Sequence, residues 1–348
     1  MPSAKRTAAL AQESQRVYLY AVPGVSACIH GKPTTIIRPK SHSMSLSPID
    51  RLPALFTAFV WGSTFAASKV ALEAGLSPIT LMTLRFALAY ALLLAMTRGK
   101  DFLPTRGKCL SEKVRFALPY VGLGLCGGSL YFLAEYEALR LTSSVNVCII
   151  TSAVPVVTTT ILVLTGHARV GWNYYTYSAL ALVGVTLVIV GGSFAFQFSP
   201  LGDLIAVGAT VLWALYSIIL DRMDGGENSL VVSRRLFFWA LLTIMPFFLA
   251  NVEKSELECL KRKEVLFAVG YLGCIASAAC IWLWDVSVRR LGAIESNKFL
   301  YLMPVVSLVA GAVLMGGEVS WWNAAGGVAV VVSARQMRGS KPSGAAQD

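Results

Sequence analysis

The chain has 348 residues, of which 55% are hydrophobic and only 14% charged, with a mean hydropathy of +0.63. About a quarter of a water-soluble domain is charged, so this composition excludes a soluble globular protein and calls for the lipid bilayer as solvent and partner. The formal net charge of +11 raises nucleic acid as a ligand, but the basic residues lie in short segments between apolar runs and form no basic face interleaved with aromatics, so no nucleic-acid partner is expected.

Residues 1–50 stand apart. They hold Lys5, Arg6, Arg16, Lys32, Arg38 and Lys40 against the single acid Glu13 before Asp50. No long apolar core follows, which excludes a secretory signal, and the segment is expected to be disordered. Two readings stay open: an organellar transit peptide, or an upstream extension with Met44 as the native start.

Ten spans are predicted, at 52–72, 79–97, 116–138, 143–164, 174–192, 201–220, 236–252, 265–288, 294–316 and 321–336. Each is close to the roughly 20 residues that cross the hydrocarbon, the last being short. A tail, 337–348, follows. With the N-terminus in the cytoplasm, the inner segments carry 22 Lys and Arg and the outer ones five, which favours N-in and C-in. The interfacial Trp172, Tyr174, Tyr175, Trp321 and Trp322 fit an aromatic anchor belt.

The second half echoes the first. Leu141, Pro155-Val156-Val157 and Trp172-Asn173 are matched by Leu291, Pro304-Val305-Val306 and Trp322-Asn323, at an offset of 149 or 150 residues. Trp61 is similarly matched by Trp213. Repeats at 52–192 and 201–336 would each hold five spans. Five is odd, so the second repeat would enter the membrane inverted, as in transporters whose halves rock about a midplane site.

Several segments together carry a family likeness: Trp61-Gly62-Ser63-Thr64, Arg85-Phe86, Tyr131-Phe132-Leu133-Ala134-Glu135, Pro155, Gly202-Asp203-Leu204, Trp213-Ala214-Leu215-Tyr216, Leu291-Gly292-Ala293, Tyr301 with Pro304, and Gly317-Glu318. On these residues the chain resembles the EamA-domain branch of the drug/metabolite transporter superfamily, over about residues 52–336. The resemblance implies an all-α integral membrane fold of ten transmembrane helices as two inverted five-helix repeats, and the transport, often export, of small metabolites. It departs from the family pattern at Ala168 or Arg169 (opposite Glu318), at Asp285 after Trp284, and at Lys298.

Charges inside spans are costly and therefore candidate functional groups. Glu135 is a candidate proton carrier; a carboxylate held at the surface by Arg140 is the plainer alternative. Arg85 either reaches the interface or binds an anionic group. Asp285 and Lys298 are read as an ion pair or a substrate clamp, with Glu295 competing for Lys298 at helical spacing. Trp61, Trp213 and Tyr301, with Tyr131, Tyr216 and Trp284, are candidates to line an aromatic cavity. Pro155 and Pro304 are candidate helix breaks in matched positions.

No P-loop, HExxH, GxSxG or EF-hand pattern occurs, and the seven cysteines include no CxxC pair or metal spacing. No cofactor, metal or enzymatic activity is expected. The reading is a secondary-active exporter in the plasma membrane, as monomer or homodimer. It would move amino acids or related compounds by alternating access, proton-coupled or by exchange. The alternatives are a sugar-phosphate or nucleotide-sugar exchanger, a non-transporting membrane sensor, and a plastid location if residues 1–50 are a transit peptide.

Overall fold

The computed structural model describes residues 47–99, 110–191, 199–223, 226–315 and 319–337. The basic extension up to residue 46, the tail beyond 337 and Glu318 lie outside them. The described residues are helical in every regular element, and no strand occurs among them.

A 3-10 turn, Pro48–Arg51, leads into α1 Leu52–Glu73. Then come α2 Pro78–Met96, α3 Leu110–Leu141, α4 Val145–Leu164, α5 Trp172–Val190 and α6 Pro200–Arg222. They are followed by α7 Ser229–Asn251, α8 Lys254–Cys259, α9 Lys263–Leu291 and α10 Ala293–Asn297. A 3-10 segment, Lys298–Leu302, joins α10 to α11 Met303–Met315, and α12 is Trp321–Gln336.

Among the described residues, eight helices are long and apolar enough to cross a membrane: α1 with its leading turn, α2 to α7, and α9. The run from α10 to α11 is interrupted, and α12 has 16 residues, short of an uninterrupted span of roughly 20. Large apolar side chains face outward, with Phe59 62% and Leu204 67% exposed. Such a surface is satisfied by acyl chains rather than water.

Local signals set the helix ends. Pro78 and Pro200 open α2 and α6, where a missing N–H removes no helical bond. The Ser77 hydroxyl accepts from the Thr80 amide at 3.3 Å. Gly191 closes α5 at φ +60°, a conformation that favours glycine. The expected start of the seventh span, residue 236, is corrected: α7 begins at Ser229, so Arg234 and Arg235 are helical and buried rather than in a loop. Arg289 and Arg290 likewise belong to α9, which weakens all four as loop signals of topology.

Hydrogen bonds sort the helix ends into two faces. On one, Arg290 Nη1 donates to Asp50 Oδ1 at 3.2 Å, Arg234 Nη1 to Thr97 Oγ1 at 2.6 Å, and Tyr120 to Glu227. This groups the starts of α1 and α7 with the ends of α2 and α9. On the other, Ser77 Oγ donates to Glu256 Oε2 at 2.9 Å, Thr142 Oγ1 to Asp203 Oδ1 at 2.8 Å, and Ser320 Oγ to the Gly191 carbonyl at 2.9 Å. This groups the ends of α3 and α5 with the starts of α2, α6 and α12.

Four helical runs are irregular, in two pairs. A π-helical segment interrupts α3 at Leu125–Ser129 and α9 at Tyr271–Ala279. α4 breaks at Ser152 and Ala153, just before Pro155. The 3-10 segment ends just before Pro304. Proline removes a backbone donor and crowds the carbonyl four residues earlier, so the helix loosens on its N-terminal side. Close helix approach depends on glycine at several contacts, Gly127 and Gly184 among them. A Cβ on Gly127 would stand 2.5 Å from Tyr216 Cδ2, and one on Gly184 would stand 2.8 Å from the Gly326 carbonyl oxygen.

Candidate functional site

An aromatic box lies where α1, α2, α3, α6 and α9 meet. Trp61 of α1 contacts Trp213 of α6 edge-on at 5.3 Å and Trp284 of α9 at 5.2 Å between ring centroids. Trp213 also meets Tyr131 at 5.0 Å and Tyr216 at 5.1 Å. Phe132 links Tyr131, at 5.0 Å, to Phe86 of α2, at 5.5 Å. Aromatic pairs at these distances and tilts are mutually attractive beyond their burial.

The π segment of α9 has a direct role in this geometry. A π turn disturbs the regular i to i−4 ladder, which makes carbonyls available to other donors. The Ala276 carbonyl accepts from Trp61 Nε1 at 2.8 Å, and this bond fixes the Trp61 ring. Ser277, the next residue, accepts from Arg85 Nε at 3.0 Å.

Two opposite charges face the box. Arg85 is 8% exposed, so it does not reach out to the interface, and its guanidinium carbon stands 5.3 Å from the centroid of the Phe132 ring. Glu135 accepts from Tyr131 Oη at 3.1 Å, one helical turn away. Each lies in the other's electrostatic field without closing an ion pair. The expected hold of Arg140 on Glu135 is corrected, because Arg140 bonds Glu137 instead, at 2.5 and 3.0 Å. Around the box, the indole N–H groups of Trp213 and Trp284 and the Tyr216 hydroxyl are buried without a partner among the described residues. Buried donors of this kind are uncommon and suit a ligand that brings acceptors.

The proposed pairing of Asp285 with Lys298 is corrected. Asp285 Oδ1 accepts from Arg289 Nε at 2.6 Å, four residues on along the same helix. Lys298 Nζ lies 2.6 Å from Glu295 Oε2 and donates to the Met337 carbonyl at 2.7 Å. Both partners lie at helical spacing, where side chains meet most readily. Lys298 therefore ties the 3-10 segment to the end of α12. Tyr301 is fully buried but near Tyr174 of α5, apart from the box contacts. Pro155 and Pro304 follow the breaks in α4 and before α11.

Sequence reasoning missed Asn297. It is fully buried; its Nδ2 donates to Thr158 Oγ1 of α4 at 2.8 Å, and its Oδ1 accepts from Ser217 Oγ of α6 at 3.2 Å. It also missed the π segments. Their only trace in the sequence is small residues, Gly127-Gly128 and Gly270 with Gly273.

Comparison with known proteins agrees with this architecture. The model of the EamA-like transporter family matches residues 52–190 and again 200–336. An uncharacterized transporter of Bacillus subtilis, YcxC, is 22% identical over 81% of this chain and 90% of its own length. The uncharacterized inner membrane transporter YedA of Escherichia coli K12 is 24% identical over 76% of this chain and 82% of its own. A protein of Salmonella typhimurium named as a probable amino-acid metabolite efflux pump is 23% identical over 82% and 93%. A crystal structure with 20% identity superposes over 84% of this chain and 96% of its own, with a TM-score of 0.64, and shows the same fold. With two matched copies covering nearly all of the described helices, the chain is a multi-pass membrane transporter that belongs to the EamA-like transporter family.

Proposed function

We propose that this transporter is a secondary-active exporter of small metabolites bearing a carboxylate and an amine, amino acids and their relatives foremost. The observation that carries the reading is the aromatic box with Arg85 and Glu135 on its wall, built from α1, α2, α3, α6 and α9. Arg85 and the unpartnered indole donors suit a carboxylate, Glu135 an amine or a proton, and the rings an apolar body. The relatives named as probable amino-acid metabolite efflux pumps support that substrate class. Because Lys298 is already engaged by Glu295 and Met337, the box offers one cation, which disfavours sugar phosphates and nucleotide sugars.

The mechanism is alternating access between two inverted five-helix repeats, ten spans in all, with α10–α11 and α12 as the last two. The grouping of helix ends supports the inversion, since α1 starts on one face and α6 on the other. The location is the plasma membrane, with N-terminus and C-terminus inside.

The test is solute flux in proteoliposomes carrying the protein from Met44 onward, under an imposed pH gradient, with labelled amino acids and other metabolites. Gradient-driven flux of amino acids is expected, and Glu135→Gln should abolish the gradient dependence while the protein stays folded. Flux of a different class, or pH dependence unchanged in that variant, overturns the substrate or the coupling assignment respectively.

A further inference from the structure

The two faces are not fastened alike. On the face of Asp50 and Arg290, Glu227 accepts two bonds from Arg235 Nη1, at 2.9 and 3.0 Å, and one from Tyr120 of α3. Arg235 stacks over Tyr120 at 4.7 Å and over Phe116 at 5.3 Å. Arg289 Nη1 reaches the Glu227 carbonyl at 3.4 Å while its Nε holds Asp285. Arg234 holds Thr97 of α2, and Arg290 holds Asp50 ahead of α1. Arg234, Arg235 and Asp285 are all buried. Each of the Tyr120, Thr97 and Asp50 ties joins the first repeat to the second. On the opposite face, the ties among the described residues are hydrogen bonds to a single carboxylate or to neutral groups, at Glu256, Asp203 and Gly191, and no ion pair joins the repeats there. Breaking a buried ion pair leaves an uncompensated charge, so the Glu227–Arg235 and Asp285–Arg289 pairs are costlier to open than the hydroxyl–carboxylate bonds of the opposite face.

From this asymmetry we infer that Glu227, Arg235, Arg289 and Asp285 form an ionic lock that closes the substrate path on the Asp50–Arg290 face, with Glu227 as its keystone. Glu227 is the one group bound to α3, α7 and α9 at once. The lock is also wired to the box. Asp285 directly follows Trp284, whose ring meets Trp61. Tyr216 contacts Trp213 and lies in the field of Asp285 and Arg289. A substrate that shifts the box rings therefore acts on the lock within one side chain. The lock rests on the alternating-access reading and adds to it the positioning residues that hold one gate shut.

A native reporter is available in Cys280, which is fully buried and adjoins Arg85. With the other six cysteines replaced by alanine, a membrane-impermeant maleimide is applied to each side of vesicles of defined orientation. Hydrogen bonds to charged groups are strong enough that losing one shifts a two-state equilibrium by about tenfold. Glu227→Gln is expected to speed labelling from the Asp50–Arg290 face by about that factor and to leave the other face unchanged or slower. Arg290→Gln, at a half-exposed site that tolerates substitution, is expected to give a smaller increase on the same face. Unchanged labelling in a folded Glu227→Gln protein overturns the lock. If that variant does not fold, absence of any rise in Arg290→Gln overturns it. Labelling needs no flux, so a failure of the substrate assignment leaves this result readable, and a lock failure leaves the flux assay readable.

Discussion

Trp61 of α1 donates its indole N–H to the Ala276 carbonyl in the π segment of α9, 2.8 Å away and 215 residues along the chain. One bond thus fastens the first helix of one repeat to the irregular turn of the other, at the wall of the box. Trp61→Phe keeps a ring at this position, gives up part of its contact area and deletes the donor. It should lower stability by about 1–3 kcal/mol, the cost of leaving a buried acceptor unmet, and reduce flux more than its thermal shift predicts. Thermal unfolding in detergent alongside flux checks this; flux that falls only in proportion to folded protein would show the bond to be purely structural.

Gly127 gives a steric prediction. A methyl there meets the Tyr216 ring at 2.5 Å, and the ring is fully buried. Gly127→Ala should destabilise by about 1–3 kcal/mol through overpacking. Combining it with Tyr216→Leu should recover part of the loss. Additive losses in the double variant would mean that the two residues do not compete for the same space.

Lys298 separates a structural from a substrate-binding charge. Lys298→Met leaves Glu295 without its partner and should destabilise the protein, while Lys298→Met with Glu295→Gln should regain most of that stability. Transport retained in the double variant, measured as flux per folded protein, would make the pair a strut between the 3-10 segment and α12. Transport lost in a stable double variant would return Lys298 to the binding site.

Asn297 predicts coupling across the breaks. Asn297→Ala removes the bonds to both Thr158 and Ser217 and should cost about 1–3 kcal/mol. Thr158→Val should cost less on top of it than on its own, because the two losses share one bond; a double-mutant cycle in thermal stability reads the difference.

How much of this was legible in the sequence follows from the range of each interaction. Span positions were visible because they depend on runs of apolar residues, and Glu295–Lys298 was visible because its spacing is helical. Arg234 and Arg235 were assigned to a loop because a charge in an apolar run reads as a boundary. The groups that make them tolerable inside a helix, Thr97, Tyr120 and Glu227, lie in other elements. Trp61, Trp213, Arg85 and Glu135 were singled out by type, yet their convergence depends on two π segments whose glycines and alanines carry no distinctive pattern. Asn297 was overlooked because one amide between Ser296 and Lys298 has no signature until its donor and acceptor partners are known.

The Asn297 bonds to Thr158 and Ser217 have one more consequence. The breaks in α4 and in the α10–α11 run share a single amide, and on the alternating-access proposal they are where each repeat would flex. Flexing at one break strains the hydrogen bonds that hold the other, so the two joints turn together like a pair of meshed gears. On that proposal, a half-completed stroke, with one repeat bent and the other straight, is the arrangement this amide would penalise.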